Sequence, residues 1–232
     1  MTVTGVPGNS WNSRPNEREA TAVRRRPEGA QLGSRFLPET GIAEEERLRA
    51  QTWRLLGRLL RAPLDVGILQ AIVGIDGDDS PLGRGFADLA AAGREADPAQ
   101  LAEEYAALFI GLTHGELVPY GSYYLTGFLH EKPLARLRGD MARLGIAPAA
   151  GASEPEDHMA ALCEMMAGLI EGDFGPVPLS EQEAFFASHL ATWAGRFFAD
   201  LEMAPSAVFY RRVGTVGRLF VNIERQAFTM AA

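Results

Sequence analysis

The strongest helical signal in the sequence is residues 44–63, which read EEERLRAQTWRLLGRLLRAP. Their apolar side chains recur three and four positions apart, a spacing that places them on one face of an α-helix. Glutamates fill the first turn and arginines follow, as the helix dipole favours, and Pro63 marks the end. The segment therefore predicts an amphipathic helix that packs its apolar face against a core.

Later segments carry similar periodicity and clear boundary signals. Asp97 before Pro98 signals a helix start, and Gly145 stands where a helix C-cap is expected. Ser180 with Glu183 three residues later predicts a capping box. The further predicted helices cover residues 64 to about 73, a segment after residue 81, 98–111, 133–144, 155–170, 180–198 and 207 to about 228.

These helices account for most of the chain, and no series of strands or internal repeat accompanies them. We therefore expect an all-α fold, a single helical domain of about eight to ten helices over residues 41–232. The Ala- and Gly-rich segment 145–153 would allow a hinge between two lobes. Residues 1–40 are polar, rich in Gly, Pro, Ser, Asn and Arg, and we interpret them as a disordered tail.

Charge and cysteine content exclude several classes of protein. The 232 residues carry a formal charge of -8, and the tail holds six arginines against four glutamates, so the acidity belongs to the helical part. Nucleic-acid binding needs a dense positive face, and we expect no such partner. The lone Cys163 excludes a disulfide framework. No segment predicts a secretory signal or a bilayer span, so we expect a cytoplasmic protein without membrane insertion.

The sequence offers little for catalysis. Its four histidines lie in separate segments, and Cys163 among apolar neighbours is typical of a small buried hydrophobe. There is no phosphate-binding glycine loop and no nucleophile elbow, so we expect no enzymatic activity and no metal site. The alternative is a metal-dependent or nucleotide-hydrolysing helical enzyme, which requires four side chains to converge in space: His114, Glu116, Asp157 and His158.

One connection between helices is densely aromatic. Residues 117–125 read LVPYGSYYL, and three tyrosines this close together provide broad apolar faces with polar tips. Such a surface is suited to gripping an extended peptide. The same rings would equally well pack a bent connection between two helices, and composition alone does not separate these interpretations.

Three blocks of the sequence resemble a known family, and they occur in that family's order. The blocks are YAALFIG at 105–111, PYGSYY at 119–124 and EPEDH at 154–158. With them the chain resembles the TorD/DmsD/NarJ-like cytosolic chaperones, which assist the maturation of molybdenum-containing redox enzymes. The likeness covers roughly residues 42–225 and leaves the tail outside it.

The resemblance implies an all-helical protein without enzymatic activity. It implies binding of a twin-arginine signal peptide and of the apo catalytic subunit of a molybdoenzyme, a formate dehydrogenase or dimethyl sulfoxide reductase relative, until cofactor insertion is complete. It also allows either a monomer or a domain-swapped dimer. Guanine nucleotide binding is allowed by the resemblance alone, and no other cofactor is implied.

The resemblance, together with the acidity of the helical part, places the peptide-binding residues. Asp157 is the first choice as partner for an arginine, and His158 would be an orienting donor or a pH-sensitive contact. The other side chains expected at this site are Pro119, Tyr120, Tyr123, Glu116, Glu154 and Glu156. A structural role remains open for Asp157 and His158, which would then cap a helix and bridge two lobes.

Overall fold

A computed structural model describes residues 43–111, 114–148 and 154–231. Within these ranges the chain forms ten α-helices and no β-strand, which confirms the all-α prediction. The helices are α1 (Glu44–Arg61), α2 (Val66–Val73), α3 (Pro81–Glu95), α4 (Pro98–Tyr105), α5 (Gly121–Thr126), α6 (Lys132–Leu144), α7 (Met159–Glu171), α8 (Leu179–His189), α9 (Ala194–Met203) and α10 (Tyr210–Ala231). A π-helical segment, Ala106–Ile110, continues α4.

Helix α1 spans the predicted segment and packs along α7. Gly57 lies at this contact, where a Cβ atom would stand 3.2 Å from the carbonyl oxygen of Ala160. The absent side chain therefore lets the two helices approach closely. This pairing matters for the site below, because the C-terminal half of α1 and the N-terminal half of α7 line the same groove.

The core also joins α1 to the C-terminal helices. The Trp53 ring meets Phe220 edge-on at 4.9 Å and Phe186 at 6.3 Å between centroids. Beside it, the Glu224 carboxylate is 0% exposed and accepts two hydrogen bonds from Arg49, at 2.7 and 2.8 Å. The Trp53 indole N–H donates to the same carboxylate at 3.2 Å. A buried ion pair thus ties α1 to α10 next to the aromatic core.

Several boundary predictions are confirmed by the caps. The Asp97 carboxylate accepts the Ala99 N–H at 3.0 Å and begins α4. Gly111, with φ +59°, follows the π-helical segment, and Gly145, with φ +72°, follows α6. Both glycines have a positive φ, which residues with a Cβ rarely adopt.

One predicted helix start and one predicted cap are wrong. The helix expected from Pro155 begins only at Met159, because residues 155–158 form a turn and the His158 side chain provides the cap. The capping box at Ser180 does not form, because α8 begins at Leu179 without any side-chain cap.

The segment predicted as one helix over 180–198 is interrupted. Between α8 and α9 the chain makes a turn at residues 190–193. There the indole N–H of Trp193 donates to the carbonyl of His189 at 2.7 Å. The last helix begins at Tyr210 rather than near 207, because the Glu104 carboxylate accepts the backbone N–H groups of residues 208–210.

Some predictions fall on residues that the structure does not describe. The tail of residues 1–40 lies outside the described ranges, as do residues 149–153 of the expected hinge. The helices on both sides of that segment contribute side chains to one core cluster. Of the helices that are described, none combines the length and apolar composition needed to cross a membrane.

Candidate functional site

Two distant motifs meet where the connection before α5 runs against the start of α7. The Gly121 N–H donates to the Asp157 carbonyl at 2.9 Å, and the Met159 N–H donates to the Pro119 carbonyl at 2.8 Å. These bonds form an isolated antiparallel bridge centred on Tyr120. The bridge fixes the PYGSYY block against the EPEDH block, so the structure brings together two of the motifs singled out in the sequence.

The Asp157 side chain caps the start of α5, although Asp157 itself lies outside that helix. Its side chain is buried, with 3% of the residue exposed, and Oδ2 accepts the backbone N–H of Ser122 at 2.7 Å. Oδ1 has no hydrogen-bond partner among the described residues. The expected first arginine partner therefore lies beneath the surface, where its carboxylate satisfies a helix N-terminus that would otherwise lack an acceptor.

His158 caps α7 and packs against Tyr120. Its Nδ1 accepts the N–H of Ala160 at 3.1 Å, and its ring meets the Tyr120 ring edge-on at 5.0 Å between centroids. Burial lowers the pKa of His158 to about 4, against the opposing effect of Glu154 and Asp157. The imidazole is therefore neutral at neutral pH, with Nδ1 as an acceptor.

Beside this bridge lies the largest group of predicted site residues, in a groove that encloses about 670 Å³. We call it the Tyr120 groove. Its walls come from α1, the π-helical segment, the two bridged motifs, α7 and the turn after α7. The lining side chains include the apolar residues Tyr105, Phe109, Pro119, Tyr120, Ile146, Met165 and Phe174 and the carboxylates Glu154, Glu156, Glu164 and Asp173.

Most of the carboxylates that line this groove already form a salt bridge with an arginine of the protein. Glu156 pairs with Arg138 at 2.8 Å; burial opposes ionisation there, but the arginine lowers the pKa of the carboxyl below its usual value. Glu164 similarly pairs with Arg61 at 3.0 Å, and Asp173 with Arg54.

Glu154 differs from the other carboxylates of the Tyr120 groove. It is exposed, and no described arginine or lysine forms a salt bridge with it. Its partner is the hydroxyl of Tyr120, which donates to Oε2. Burial, followed by this hydrogen bond, raises the pKa of Tyr120, so the phenol keeps its proton. Glu154 is thus an oriented anion at the groove surface.

The remaining predicted site residues lie on a different surface. Tyr123 is 42% exposed, and Glu116 accepts hydrogen bonds from the backbone and hydroxyl of Ser206. Both residues line a separate cavity of about 560 Å³, together with Tyr124 and Arg196. The structure therefore divides the predicted site between two surfaces, the Tyr120 groove and the cavity that contains Tyr123.

The four residues of the enzyme alternative are divided in the same way. His114 and Glu116 line the cavity that contains Tyr123, and His158 lines the Tyr120 groove. Asp157 lines neither cavity and is buried at the start of α5. No group of three or more potential metal ligands occurs among the residues that the structure describes. Burial of Cys163 raises the pKa of its thiol, so this side chain is not a ready nucleophile.

Sequence reasoning missed several residues of the groove. Tyr105 and Phe109 belong to the YAALFIG block, which carried the resemblance but was not assigned to the site. Glu164 and Phe174 come from α7 and the turn that follows it, and only the packing of α7 on α1 brings them here. No local pattern in the sequence marks these two residues as functional.

Comparisons with known proteins agree with this architecture. The family model described as the nitrate reductase delta subunit matches residues 75–199. Two proteins named chaperone protein TorD, from two strains of Vibrio cholerae serotype O1, are each 29% identical over 134 residues. The match covers 54% of this chain and 61% of each relative's length.

A solved structure gives the same result for the fold. It is a protein from Archaeoglobus fulgidus described as a redox enzyme maturation protein, with a TM-score of 0.52 at 20% identity. The superposition covers 83% of this chain and 99% of the other. Because the family model matches more than half of the sequence, the chain belongs to the nitrate reductase delta subunit family, the TorD/NarJ family.

Proposed function

We propose that this protein is a cytoplasmic chaperone for redox enzyme maturation. It binds the twin-arginine signal peptide and the apo catalytic subunit of a molybdenum-containing oxidoreductase, and holds both until the cofactor is inserted. Family membership and the names of the relatives, chaperone and maturation protein, support the general role. The observation that carries the peptide-binding part is the Tyr120 groove, with apolar walls and an accessible carboxylate.

The groove offers both interactions that a twin-arginine signal peptide needs. Such a peptide presents arginines next to an apolar segment. Apolar side chains such as Phe109 and Met165 would take the apolar segment, whose transfer from water is favourable. A guanidinium would bind Glu154 through charge-assisted hydrogen bonds, roughly twice as strong as neutral ones.

Glu154 replaces Asp157 as the first arginine acceptor in this proposal. Asp157 is buried and already accepts the Ser122 N–H, so an arginine would have to displace packed structure to reach it. Its role here is to position the bridge that holds Tyr120 and His158 at the groove. Glu156 is a second acceptor that becomes available when Arg138 swings away, because that arginine is exposed.

The proposal requires no chemistry by the protein itself. The relatives are named chaperone and maturation protein rather than enzyme, and the residues of the enzyme alternative lie on two surfaces. No cofactor takes part, and guanine nucleotide binding stays an expectation from the resemblance. A monomer and a domain-swapped dimer are both compatible with a groove formed in this way.

The test is a fluorescence-anisotropy titration with a labelled twin-arginine signal peptide. We compare wild type with Glu154→Gln, which keeps the shape of the side chain but removes its charge. Glu45→Gln is the matched control, because Glu45 is an exposed carboxylate in the first turn of α1 that does not line the groove.

We expect Glu154→Gln to weaken binding by roughly tenfold, the effect of losing one charge-assisted contact. Glu45→Gln should match wild type. Equal losses in both variants would mean that only overall charge attracts the peptide. If Glu154→Gln binds the peptide as tightly as wild type, Glu154 is not the arginine acceptor.

A further inference from the structure

Arg138 reaches the Glu156 carboxylate from outside the Tyr120 groove. The arginine belongs to α6 and does not line the groove, whereas Glu156 does. The side chain of Arg138 is 57% exposed, against 17% for that of Glu156. The pair therefore places a solvent-exposed guanidinium on a carboxylate that is largely covered by the protein.

The contact between these two side chains uses one carboxylate oxygen only. Nε and Nη2 of Arg138 lie 2.9 and 2.8 Å from Glu156, and both distances are to the same atom, Oε2. The forked pairing of an arginine with a carboxylate, which has one bond to each oxygen, is stronger and more specific. A second guanidinium that enters from the groove and contacts both oxygens would therefore bind Glu156 more tightly than Arg138 does.

Arg138 has little else to hold it in this position. Among the described residues, Glu156 is its only salt-bridge partner. Asp140 is the one carboxylate of α6, and it already contacts Arg143 at 3.2 Å and His189 at 2.8 Å. Because an ion pair with an exposed arginine contributes little to stability, Arg138 can leave Glu156 and become solvated at small cost.

The other arginines that pair with carboxylates of the groove are placed differently. Arg61 pairs with Glu164 at 3.0 Å, Arg54 pairs with Asp173, and both arginines line the groove themselves. If either were displaced from its carboxylate, its positive charge would stay in the groove and repel an incoming arginine. Glu156 is therefore the paired carboxylate that a client arginine can take over most easily.

We propose that Arg138 is a specificity-determining residue, which reserves Glu156 for a client arginine and excludes lysine. This inference rests on the proposed function. A client arginine displaces Arg138 because its planar guanidinium matches both carboxylate oxygens, whereas the ammonium group of lysine is a compact, strongly hydrated charge. A lysine therefore does not exchange with Arg138 and gains nothing from Glu156. Glu154, whose partner is the Tyr120 hydroxyl, presents no such barrier.

The test is a fluorescence-anisotropy titration with three forms of a labelled twin-arginine signal peptide. One form keeps both arginines, and in the other two a single arginine is replaced by lysine or by glutamine, at each position of the pair in turn. The proteins are wild type, Arg138→Gln and Arg138→Gln/Glu156→Gln. Arg136→Gln is the matched control, because Arg136 is also an exposed arginine of α6 but forms no ion pair with Glu156.

At the position of the pair that meets Glu156, we expect wild type to bind the lysine and glutamine peptides equally and the arginine peptide more tightly. Arg138→Gln opens Glu156 to any cation, so the lysine peptide should then bind about threefold to fivefold more tightly than the glutamine peptide. Arg136→Gln should resemble wild type, although it removes the same charge. The Arg138→Gln/Glu156→Gln variant should again bind the lysine and glutamine peptides equally.

Three results would overturn the role of Arg138. Arg138→Gln could show no preference for lysine over glutamine, wild type could already show the same preference, or Arg136→Gln could acquire it through the change in net charge alone. The arginine peptide separates these results from a failure of the proposed function. If wild type does not bind that peptide, the proposed function fails; if wild type binds it and one of the three results is found, only the present inference is overturned.

Discussion

Replacing Asp157 by alanine is expected to destabilise the fold at the start of α5. The carboxylate accepts the Ser122 N–H at 2.7 Å, and the two residues are 3% and 0% exposed. Removing the acceptor leaves a buried N–H without a partner, which costs about 1–3 kcal/mol. The loss of the packed side chain adds to this cost, so we expect Asp157→Ala to lower the free energy of unfolding by about 2–3 kcal/mol.

Asp157→Asn is the decisive partner variant. Its amide oxygen still accepts the Ser122 N–H, but its NH2 group takes the position of Oδ1, which is buried without a partner among the described residues. We therefore expect a loss of about 1 kcal/mol in the free energy of unfolding, less than in Asp157→Ala. Because the bridge at Tyr120 and His158 stays intact, signal-peptide affinity should stay within about threefold of wild type.

Urea unfolding followed by tryptophan fluorescence measures both variants, because Trp53 and Trp193 are buried reporters. The peptide titration is carried out in the same buffer. If Asp157→Asn stays folded but binds the peptide as weakly as Glu154→Gln, Asp157 contacts the arginine and its positioning role is wrong. If Asp157→Ala leaves the unfolding curve unchanged, the capping argument fails.

Three further variants test the fold and its pH dependence by urea unfolding. Arg49→Met leaves the buried Glu224 carboxylate without its arginine partner, so we expect the free energy of unfolding to fall by about 3 kcal/mol or more. An unchanged urea midpoint would contradict this. In Gly217→Ala the new Cβ would lie 2.3 Å from the Phe198 ring, so we expect a loss of about 1–3 kcal/mol rather than the usual gain from alanine in a helix. Folding lowers the pKa of His158 to about 4. The imidazole of the unfolded chain is therefore protonated at a higher pH than that of the folded protein. Up to ~3 kcal/mol of stability is lost as the pH falls from about 6.5 to 4. His158→Asn, which keeps a capping acceptor, should flatten that part of the pH profile, and an unchanged profile would refute the assignment.

Local sequence signals predicted those parts of the fold that local chemistry determines. The apolar face and charge order of 44–61 gave α1, and Asp97 with Pro98 gave the start of α4, because both depend on residues close in sequence. The same approach failed at the C-terminal helices. At 180–198 the periodicity runs through a break that the Trp193 side chain stabilises by donating to the backbone.

The candidate site was predictable only in part. The sequence motifs supplied Tyr120, Glu154 and His158, which the structure brings together in one groove. The burial of Asp157 was not predictable, because its hydrogen bond crosses from residue 157 to residue 122 and exists only once the segment before α5 pairs with the segment before α7. Tyr123 belongs to the same motif as Tyr120, but it lies in the short helix α5 and lines a different cavity.

If the Tyr120 groove selects a peptide for its arginines, replacing those arginines must weaken binding. Isothermal titration calorimetry tests it most directly, with wild type and two versions of a signal peptide, one with its twin arginines and one with both replaced by glutamine. We expect saturable binding of the arginine peptide, at least roughly tenfold weaker binding of the glutamine peptide, and loss of this difference in Glu154→Gln. Equal affinity of wild type for the two peptides, or no binding of either, would contradict it.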